Sequence, residues 1–404
     1  MYKTFFFPGV CVFLLISIIL PGCSTAKTTG EYVVVLSLDG FRSDYIGKAK
    51  TPTLDSLAKV GVKSAFRPSF PSVTFPNHYT LATGLHPDHH GLVNNFFYAP
   101  DLDLTYRLGD NTAVTNPDFY GGEPIWNTAE KQGVKTGVYF WVGSEAPVQK
   151  MWPSICKPYD KSIPYTNRAD SVISWLERPK KERPRLVMWY IEEPDGIGHS
   201  ATPEGVATYE MIEKLDSVLN YYFTKARKLK DFKKIDFIVL SDHGMATYYP
   251  DKYVNLNDYL PRDSFDYVFD GVPTLLYPKK SYVDSALAIL QNVPHIKAYK
   301  KDEVPEQFVY RKNPRIGDIV VIPDIGTYVQ FRPESRPRLA ATHGYDNFAP
   351  EMEAIFYAAG PSFKKNTVLP VMANVNLYLI IANLLNLDPA PNDGDIEVVK
   401  KLFK

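Results

Sequence analysis

Two aspartates that each close an apolar run are the first residues of this chain whose placement points to chemistry. Asp39 ends the run VVVLSLD, and Asp242 ends FIVLSD, with His243 directly after it. Each run is typical of a buried strand in a parallel sheet. The carboxyl ends of such strands form the edge at which open α/β sheets bind ligands. Two carboxylates and an imidazole at one edge are suited to holding a metal ion.

Further oxygen and nitrogen donors lie beside other predicted strands. Asp195 and His199 occur in EEPDGIGHS, directly after the apolar run at 186–191, and His343 precedes a strand predicted to begin near Ala354. With the first group they make three carboxylates and three imidazoles, a set that suits zinc or a similar divalent ion. Six ligands are too many for one tetrahedral site but fit two. Two ions about 4 Å apart can hold both the attacking and the leaving oxygen of a phosphoryl transfer.

A candidate nucleophile ends the loop RPSFPSVT at Thr74, where Phe75 and Pro76 follow and a helix is predicted to begin. A hydroxyl at a helix N-terminus meets free N–H groups and the positive end of the helix dipole, which favour a bound phosphate and an alkoxide. A metal ion on the hydroxyl would lower its pKa further. The alternative is that Thr74 is a simple N-cap, and without the metal ligands this would be the preferred interpretation.

Strands and helices must alternate to place these residues together. Apolar runs predict strands at 33–38, 135–141, 186–191, 235–240 and 354–358, and helical patterns predict helices at 52–60, 76–83, 203–228 and 373–385. This alternation predicts an α/β fold with a largely parallel sheet covered on both faces. Residues 251–337 differ, because they hold many prolines, short β-like runs at 274–277 and 319–322, and one helix at 283–290. They predict an inserted α+β subdomain.

Composition limits the classes of function. The 404 residues are 45% hydrophobic and 22% charged, which is ordinary for one large globular domain with insertions or for two domains. The formal net charge is zero, so composition predicts no general attraction to nucleic acid or to an anionic membrane. Beyond the N-terminal segment only Cys156 remains, so an intrachain disulfide is excluded there. Cys156 lacks a partner at metal-binding spacing and is interpreted as structural.

The N-terminus has the pattern of an export signal. Lys3 precedes an apolar run at 5–20, and Leu-Pro-Gly-Cys follows, ending at Cys23. The last four residues resemble a bacterial lipobox, although Pro21 is unusual there. We therefore predict a signal peptide at 1–22, a lipid on Cys23 that anchors the chain in a membrane, and a polar tether at 23–30. The chain would be an exported bacterial lipoprotein of the periplasm or cell surface. The alternative is a transmembrane helix, for which the run is slightly short.

Several short motifs resemble the nucleotide pyrophosphatase/phosphodiesterase family of the alkaline phosphatase superfamily. They are Asp39-Gly40, TFPNHY from Thr74, His90-Gly91, Asn95, EPD before His199, SDHGM from Ser241 and Thr342-His343-Gly344. The resemblance covers residues 31–390 in order, and the blocks around Thr74 and Asp242 are its most specific parts. It implies an alkaline phosphatase-like three-layer sandwich, with residues 31–404 as the catalytic domain, and a metal-dependent phosphodiesterase or nucleotide diphosphatase.

The resemblance also implies roles for the residues of the site. One zinc ion would be bound by Asp195, His199 and His343, and the other by Asp39, Asp242 and His243 together with the nucleophile Thr74. Asn95 and the backbone N–H of Phe75 would hold a phosphate oxygen, and such a donor contributes about 3 kcal/mol. In the implied reaction Thr74 attacks phosphorus and forms a phosphothreonine ester, which water then hydrolyses with overall retention of configuration. Covalent catalysis divides one difficult displacement into two easier ones.

The class of substrate is predicted from residues that are less diagnostic of the family than the metal-ligand motifs. Phe75 follows the nucleophile and the motifs contain no arginine, which favours a phosphodiester over a monoester. Trp141, Tyr159 and Tyr190 match positions that line the base pocket in nucleotide-cleaving members, and stacking a base contributes about 1–3 kcal/mol. Trp141 could instead belong to the core. The predicted substrate is a nucleotide diester or pyrophosphate cleaved to a nucleoside 5′-monophosphate.

Other functions remain as alternatives. A choline-headgroup or lysophospholipid phosphodiesterase would use the aromatic rings to surround a quaternary ammonium. A phosphomonoesterase of the same superfamily is also open, whereas a sulfatase needs Cys or Ser at the position of Thr74. A surface lipoprotein that only binds nucleotides or glycans predicts an incomplete ligand set, and here the set is complete.

The remaining histidines carry weaker predictions. His78 lies in the helix of the nucleophile and is expected to orient neighbours rather than to bind metal. The sequence HPDHH at 86–90 resembles a metal cluster, but its position after a helix predicts a solvated turn. His295 is expected at the surface.

Overall fold

The fold is organised by apolar runs that are buried on both faces of a sheet. In the computed structural model, which describes residues 1–2, 30–332 and 338–404, the strand Tyr32–Leu38 is buried along its whole length. Its side chains alternate between two apolar clusters, with Val33 and Val35 in one and Val34 and Leu36 in the other. A strand that is covered on both faces requires such a continuous apolar sequence.

The strands of the described residues vary from two to seven residues. In chain order they are β1 (Tyr32–Leu38), β2 (Val62–Arg67), β3 (Phe96–Ala99), β4 (Leu104–Arg107), β5 (Thr136–Tyr139), β6 (Ile155–Lys157), β7 (Leu186–Ile191), β8 (Ile235–Leu240), β9 (Ala246–Thr247), β10 (Val254–Asn255), β11 (Phe265–Phe269), β12 (Thr274–Pro278), β13 (Ile296–Lys300), β14 (Ile319–Pro323), β15 (Val329–Gln330), β16 (Ala341–Thr342), β17 (Ala354–Ala359), β18 (Thr367–Val368) and β19 (Met372–Ala373).

The helices of the described residues include three of only four residues beside longer ones that cover the sheet. They are α1 (Pro52–Val60), α2 (Thr74–Thr83), α3 (Pro87–His90), α4 (Asn111–Val114), α5 (Ile125–Lys131), α6 (Tyr165–Glu177), α7 (Asp195–Ser200), α8 (Val206–Ala226), α9 (Val283–Leu290), α10 (Asn376–Leu385) and α11 (Ile396–Val399).

The main sheet has the strand order β18-β2-β17-β8-β1-β7-β5-β6, with β19 also paired to β2. All its pairings are parallel except those of β17, which runs antiparallel to both β2 and β8. Helices α2, α5 and α10 cover one face, and α1, α6 and α8 cover the other. The predicted α/β three-layer architecture with a mostly parallel sheet is therefore confirmed.

The predicted bounds of the elements differ from the observed ones where local pairing intervenes. The helix expected at 373–385 begins only at Asn376, because residues 372–373 pair with β2 as strand β19. The strand expected at 135–141 ends at Tyr139, and Phe140 adopts a positive φ of 64°. The helix of the candidate nucleophile begins at Thr74, two residues before the predicted start.

The prediction of a solvated turn at 86–90 is wrong. The segment forms the short helix α3, in which Asp88 and His90 are buried. Thr80 Oγ1 lies 3.0 Å from His90 Nε2, and Asp88 Oδ1 accepts the backbone N–H groups of Lys312 and Asn313 at 2.7 Å each. The segment therefore connects α3 to the distant residues Lys312 and Asn313 by hydrogen bonds. Its polar sequence does not show that it is buried in this way. His295 is exposed, as expected.

The chain between β8 and β17 contains a second, four-stranded antiparallel sheet with the order β11-β12-β14-β13. Helix α9 packs on this second sheet. Phe269 and Tyr277 of the sheet join one apolar cluster with Phe97 and Tyr106 of the β3–β4 hairpin. The subdomain boundaries at 251 and 337 stay predictions, because residues 333–337 lie outside the described residues.

The predicted signal peptide and the lipid on Cys23 also lie outside the described residues, as does nearly all of the tether. Among the residues that the structure describes, no helix combines the length and the apolar character needed to cross a bilayer.

Candidate active site

The strand ends of the main sheet bring the predicted ligands to one edge. Asp39 follows β1 directly, and Asp242 lies two residues after β8. Asp195 begins helix α7 beyond β7, and its backbone N–H donates to the carbonyl of Asp39 at 3.0 Å. Strands β9 and β16 pair just beyond His243 and just before His343, so the two imidazole rings stack with centroids 3.7 Å apart. Residues far apart in sequence thus converge.

The six predicted ligands form two adjoining groups. In one, Asp195 lies 3.4 Å from His199 Nε2 through Oδ2 and 3.4 Å from His343 Nε2 through Oδ1. In the other, His243 Nε2 lies 3.4 Å from Asp39 Oδ1 and 3.2 Å from Asp242 Oδ2. The donor atoms of Asp195, His199 and His343 all lie within 4.8 Å of one another, as do those of Asp39, Asp195 and His243. The second set connects the two groups.

Backbone carbonyls fix the orientation of all three imidazoles. The Nδ1 atoms of His199, His243 and His343 each lie 2.9 Å from a carbonyl oxygen, those of Ala341, Gly244 and Ser72 respectively. A carbonyl only accepts, so each Nδ1 carries the proton, and in the neutral ring Nε2 presents a lone pair. Each Nε2 therefore faces a carboxylate oxygen, an arrangement that a metal cation between them would stabilise.

The carboxylates of the site carry buried oxygen atoms that lack protein donors. Asp39 Oδ1, Asp195 Oδ1 and Asp242 Oδ2 are buried and form no hydrogen bond with any described residue. Burial, followed by the charges of Asp242 and Asp195, raises the pKa of Asp39 well above its usual value. Burial and then the neighbouring His243 lower the pKa of His343 to about 3, which keeps this imidazole neutral. Orphaned acceptors beside a neutral imidazole fit a divalent cation.

Thr74 lies where it can act on a bound phosphate. It is the first residue of α2, and its Oγ1 lies 3.1 Å from His243 Nε2. The N-cap position belongs to Val73, whose side chain makes no capping hydrogen bond, so the interpretation of Thr74 as a simple N-cap is wrong. The backbone N–H of Phe75 donates to Asn95 Oδ1 at 2.9 Å. The hydroxyl is therefore free to face the ligand groups rather than its own helix.

A cavity of about 580 Å³ opens beside Thr74. Its walls include Phe75, Trp141, Tyr159 and Tyr190, the four predicted substrate-binding aromatics. Tyr159 is 47% exposed and presents its ring to solvent, whereas Trp141 is only 1% exposed and donates its Nε1–H to the carbonyl of His78 at 2.9 Å. Tyr190 donates its hydroxyl to Asp39 Oδ2 at 2.6 Å. The side chains of Trp141 and Tyr190 are therefore held by hydrogen bonds, whereas the described contacts of the Tyr159 ring are with the rings of Phe140 and Tyr190.

Basic side chains stay away from this cavity. Among the described residues, no Lys or Arg lines it. Arg42 is bound to Asp44, Glu204 and the carbonyl of Met245, and the Arg67 guanidinium lies over the ring of Phe348 at 4.5 Å.

Comparisons with known proteins agree with this geometry. The family model described as type I phosphodiesterase / nucleotide pyrophosphatase matches residues 33–346. The chain belongs to this family.

Curated relatives of this chain include ectonucleotide pyrophosphatase/phosphodiesterase family member 3 of Mus musculus, which is 33% identical over 386 residues, 92% of this chain and 44% of the relative. Family member 1 of Homo sapiens is 33% identical over 398 residues, 95% of this chain and 43% of the relative. A venom phosphodiesterase of Crotalus durissus collilineatus is 34% identical over 386 residues, 92% of this chain and 46% of the relative. The chain thus spans less than half the length of these relatives.

Solved structures of murine and human ectonucleotide pyrophosphatase/phosphodiesterase 5 share the fold of this chain. A murine structure, of an inactive threonine-to-alanine variant in complex with AMP, has a TM-score of 0.89 and 32% identity, covering 93% of this chain and 100% of that one. The human structure has a TM-score of 0.88 and 32% identity, covering 92% and 99%. The resemblance to the family and its superfamily fold is therefore confirmed.

An orienting role for His78 was predicted from the sequence, but its partners were not. His78 Nδ1 lies 3.0 Å from the carbonyl of Thr74 and 3.2 Å from Asp242 Oδ2, and its Nε2 lies 2.9 Å from Ser37 Oγ. Two spacings could have revealed this. His78 is four residues after Thr74 on one helix, and Ser37 shares a strand face with Asp39.

The sequence analysis also missed two acidic residues in the wall of the cavity. Glu192 is held by both guanidinium nitrogens of the fully buried Arg168, at 2.5 and 3.1 Å, and Glu145 accepts the backbone N–H of Tyr159 at 2.9 Å. Glu145 therefore fixes the backbone beneath the exposed aromatic ring.

Proposed function

We propose that this chain hydrolyses phosphodiester or pyrophosphate bonds of nucleotides and releases nucleoside 5′-monophosphates, with Thr74 as nucleophile and a phosphothreonine ester as intermediate. The observation that carries this proposal is the position of Thr74 Oγ1, which lies 3.1 Å from His243 among buried, unsatisfied carboxylates and opens into an aromatic cavity. A structural relative in complex with AMP, whose threonine-to-alanine variant is described as inactive, supports both the nucleotide and the threonine.

Two Zn²⁺ ions are the proposed cofactors. Asp195, His199 and His343 would hold one ion, and Asp39, Asp242 and His243 would hold the other beside Thr74. When bound, such ions polarise phosphate oxygens and lower the pKa of a coordinated hydroxyl or water. The fixed Nδ1 protons support this assignment, because they leave all three Nε2 lone pairs directed at the carboxylates.

The protein groups around the phosphate would position it for attack by Thr74. The N-terminus of α2 supplies the positive end of a helix dipole at the reacting oxygen. Phe75 N–H currently donates to Asn95 Oδ1, which leaves the Asn95 amide Nδ2 as the available donor. For both groups to hold one phosphate oxygen, the Asn95 side chain has to rotate away from Phe75.

The walls of the cavity favour a diester over a monoester. A phosphomonoester presents a third charged oxygen, which a basic side chain would neutralise, and none of the described lining residues is Lys or Arg. The volume of about 580 Å³ lies in the range of small-molecule pockets and gives room for a nucleoside. Phe75 and Tyr159 are the rings best placed to stack a base, because Phe75 is half-buried and Tyr159 is exposed, whereas the hydroxyl of the half-buried Tyr190 is bound to Asp39.

The test is to measure hydrolysis of three esters by the zinc-loaded protein side by side: thymidine 5′-monophosphate p-nitrophenyl ester, p-nitrophenyl phosphate and p-nitrophenyl phosphorylcholine. We expect the nucleotide ester to have the highest kcat/KM. Preference for the choline ester would replace the nucleotide by a lipid headgroup, and preference for the monoester would make the protein a phosphatase. Hydrolysis of none of the three would contradict the proposed activity altogether.

A further inference from the structure

The pole of the molecule opposite the active site is strongly basic. Strands β1 and β8 begin there and β17 ends there, and three segments, 225–234, 359–365 and 400–404, surround these strand ends. Together they contain eleven Lys and Arg residues and a single acidic residue, Asp231. The whole chain has 45 basic and 45 acidic residues, so positive charge is concentrated at this end and negative charge elsewhere. We call these three segments the basic pole.

The three segments form one continuous surface. Phe363 and Phe403 form a β-bridge, and the backbone N–H of Lys364 donates to the carbonyl of Leu402 at 2.9 Å. Ala359, the first residue of the segment 359–365, pairs with Phe237 of β8. This pairing places the segment 359–365 beside the segment 225–234, which precedes β8. The charges of the basic pole therefore act on the same neighbourhood.

An apolar cavity of about 420 Å³ lies within the basic pole. Its walls include the side chains of Leu57, Val60, Phe223, Phe232 and Phe237, and the cations Arg227, Lys233, Lys365 and Lys404 also border it. None of the described residues that line it is acidic. An apolar hollow bordered by cations suits a ligand that is apolar in one part and anionic in another.

Most of the cations at the border are available to a partner. Arg227, Lys233 and Lys365 are exposed and form no ion pair with any described residue, and Lys404 Nζ donates only to the carbonyl of Pro361. By contrast, Lys234 is paired with both Glu31 and Asp231, and Arg183 is paired with Asp231. Two acidic residues near the basic pole, Glu31 and Asp231, are therefore already paired with cations that do not border the cavity.

The chain enters the fold at this pole. The backbone N–H of Gly30 donates to Ser362 Oγ at 3.1 Å, and that of Glu31 donates to the carbonyl of Lys234 at 2.8 Å. A Cβ on Gly30 would meet Asp236 Oδ2 at 2.0 Å, so the entry point is closely packed. The ligand groups and Thr74 lie at the other end of the same strands.

We propose that the basic pole docks on an anionic lipid bilayer, with the apolar cavity receiving an apolar part of a lipid, so that the active site opens away from the membrane. Each Lys or Arg near an anionic leaflet is attracted to it, and apolar burial adds to this attraction. A soluble polyanion would meet the charges but would leave the apolar walls uncovered, which is why a lipid is favoured. The proposal is independent of the proposed activity and of a lipid on Cys23.

The experiment measures amide hydrogen exchange of the full chain in nanodiscs of phosphatidylcholine alone and of phosphatidylcholine mixed with phosphatidylglycerol. We expect exchange in the segments 225–234, 359–365 and 400–404 to be at least about threefold slower with phosphatidylglycerol, since anionic headgroups attract the basic pole. The fourfold variant Arg227→Glu, Lys233→Glu, Lys365→Glu and Lys404→Glu should lose this protection. A matched control with Lys279→Glu, Lys280→Glu, Lys297→Glu and Lys312→Glu should keep it, because these exposed lysines lie outside the basic pole.

Hydrolysis of the nucleotide ester, or the melting temperature, shows that both variants are folded. Equal exchange in the two kinds of disc would overturn the proposal, as would protection that survives in the first variant. Protection of the same segments by a double-stranded DNA fragment, but not by anionic discs, would replace the bilayer by a nucleic-acid partner.

Discussion

Strand β8 has one buried aspartate near its start and another just beyond its end. The two differ in how many of their carboxylate oxygens accept hydrogen bonds. Asp236, near the start of β8, accepts two hydrogen bonds from Ser362. The backbone N–H of Ser362 donates to Oδ1 at 3.0 Å, and its hydroxyl donates to Oδ2 at 2.6 Å. Asp242, beyond the end of β8, accepts Gly40 N–H through Oδ1 at 3.2 Å, but its Oδ2 has no hydrogen bond to any described residue. Both side chains are completely buried. Burial alone therefore does not distinguish a functional carboxylate from a structural one, whereas an unsatisfied oxygen does.

The largest effect is expected from Thr74→Ala, which tests the functional end of the strand without touching a carboxylate. Removing a nucleophile should lower kcat by at least about a thousandfold, because the covalent path is lost. The six other ligand residues remain, so bound zinc, measured by plasma emission spectrometry, should be retained. A variant with an undiminished rate would exclude Thr74 as nucleophile.

Asp242→Asn and Asp236→Asn compare the two ends of β8 directly. Asp242→Asn should reduce bound zinc by about one equivalent and lower kcat/KM by at least about tenfold, because it removes a charged ligand beside His243. Asp236→Asn should leave the zinc content and the rate unchanged, since Ser362 satisfies both of its oxygens. Similar zinc loss in the two variants would remove the distinction drawn here. Treatment with a chelator should inactivate the wild-type protein and Asp236→Asn alike.

Tyr159→Ala tests the aromatic wall of the cavity beside Thr74. Loss of one stacking ring should raise KM for the thymidine ester by about tenfold, in line with about 1–3 kcal/mol for a base on a ring. KM for a small p-nitrophenyl phosphodiester should change less, because it has no base. Equal increases for both substrates would argue against stacking. Trp141→Ala is a poorer test, because its buried indole supports the His78 carbonyl and its loss would disturb the core.

The smallest effect concerns the pH dependence of stability at the structural end. Burial raises the pKa of Asp236 to about 6 from its usual 3.8, although the hydrogen bonds from Ser362 oppose the rise. The folded protein therefore binds the Asp236 proton more tightly than the unfolded chain does. This tighter binding stabilises the folded state fully below about pH 4, and the stabilisation is lost as the pH rises through about 6. The melting temperature of Asp236→Asn should change less between these pH values than that of the wild type, by about 3 °C at most. Parallel pH profiles would mean that Asp236 does not titrate in this range.

The sequence predicted the sheet and the set of ligands because both depend on short-range patterns. Apolar runs that end in Asp39 and Asp242 predict where strands stop, and the structure brings these residues together with Asp195 and the three histidines. Contacts between distant segments were not predictable in this way. Asp88 is buried because residues more than 200 positions away supply its hydrogen-bond donors. The same limit applies to Trp141, whose sequence neighbours do not show that its ring is covered.

The reversed direction of β17 has a consequence for engineering this protein. Because β8 ends and β17 begins at the same edge, the chain leaves the sheet and rejoins it at adjacent points, which β9 and β16 hold together. The intervening segment thus begins and ends at one place on the sheet, so an insertion within it need not shift the register of the main strands. Such an insertion has to keep the contacts that the segment makes with the rest of the fold, among them those of Lys312 and Asn313 with Asp88. The stacked rings of His243 and His343 would report through their NMR shifts whether the two ends of the segment had closed correctly.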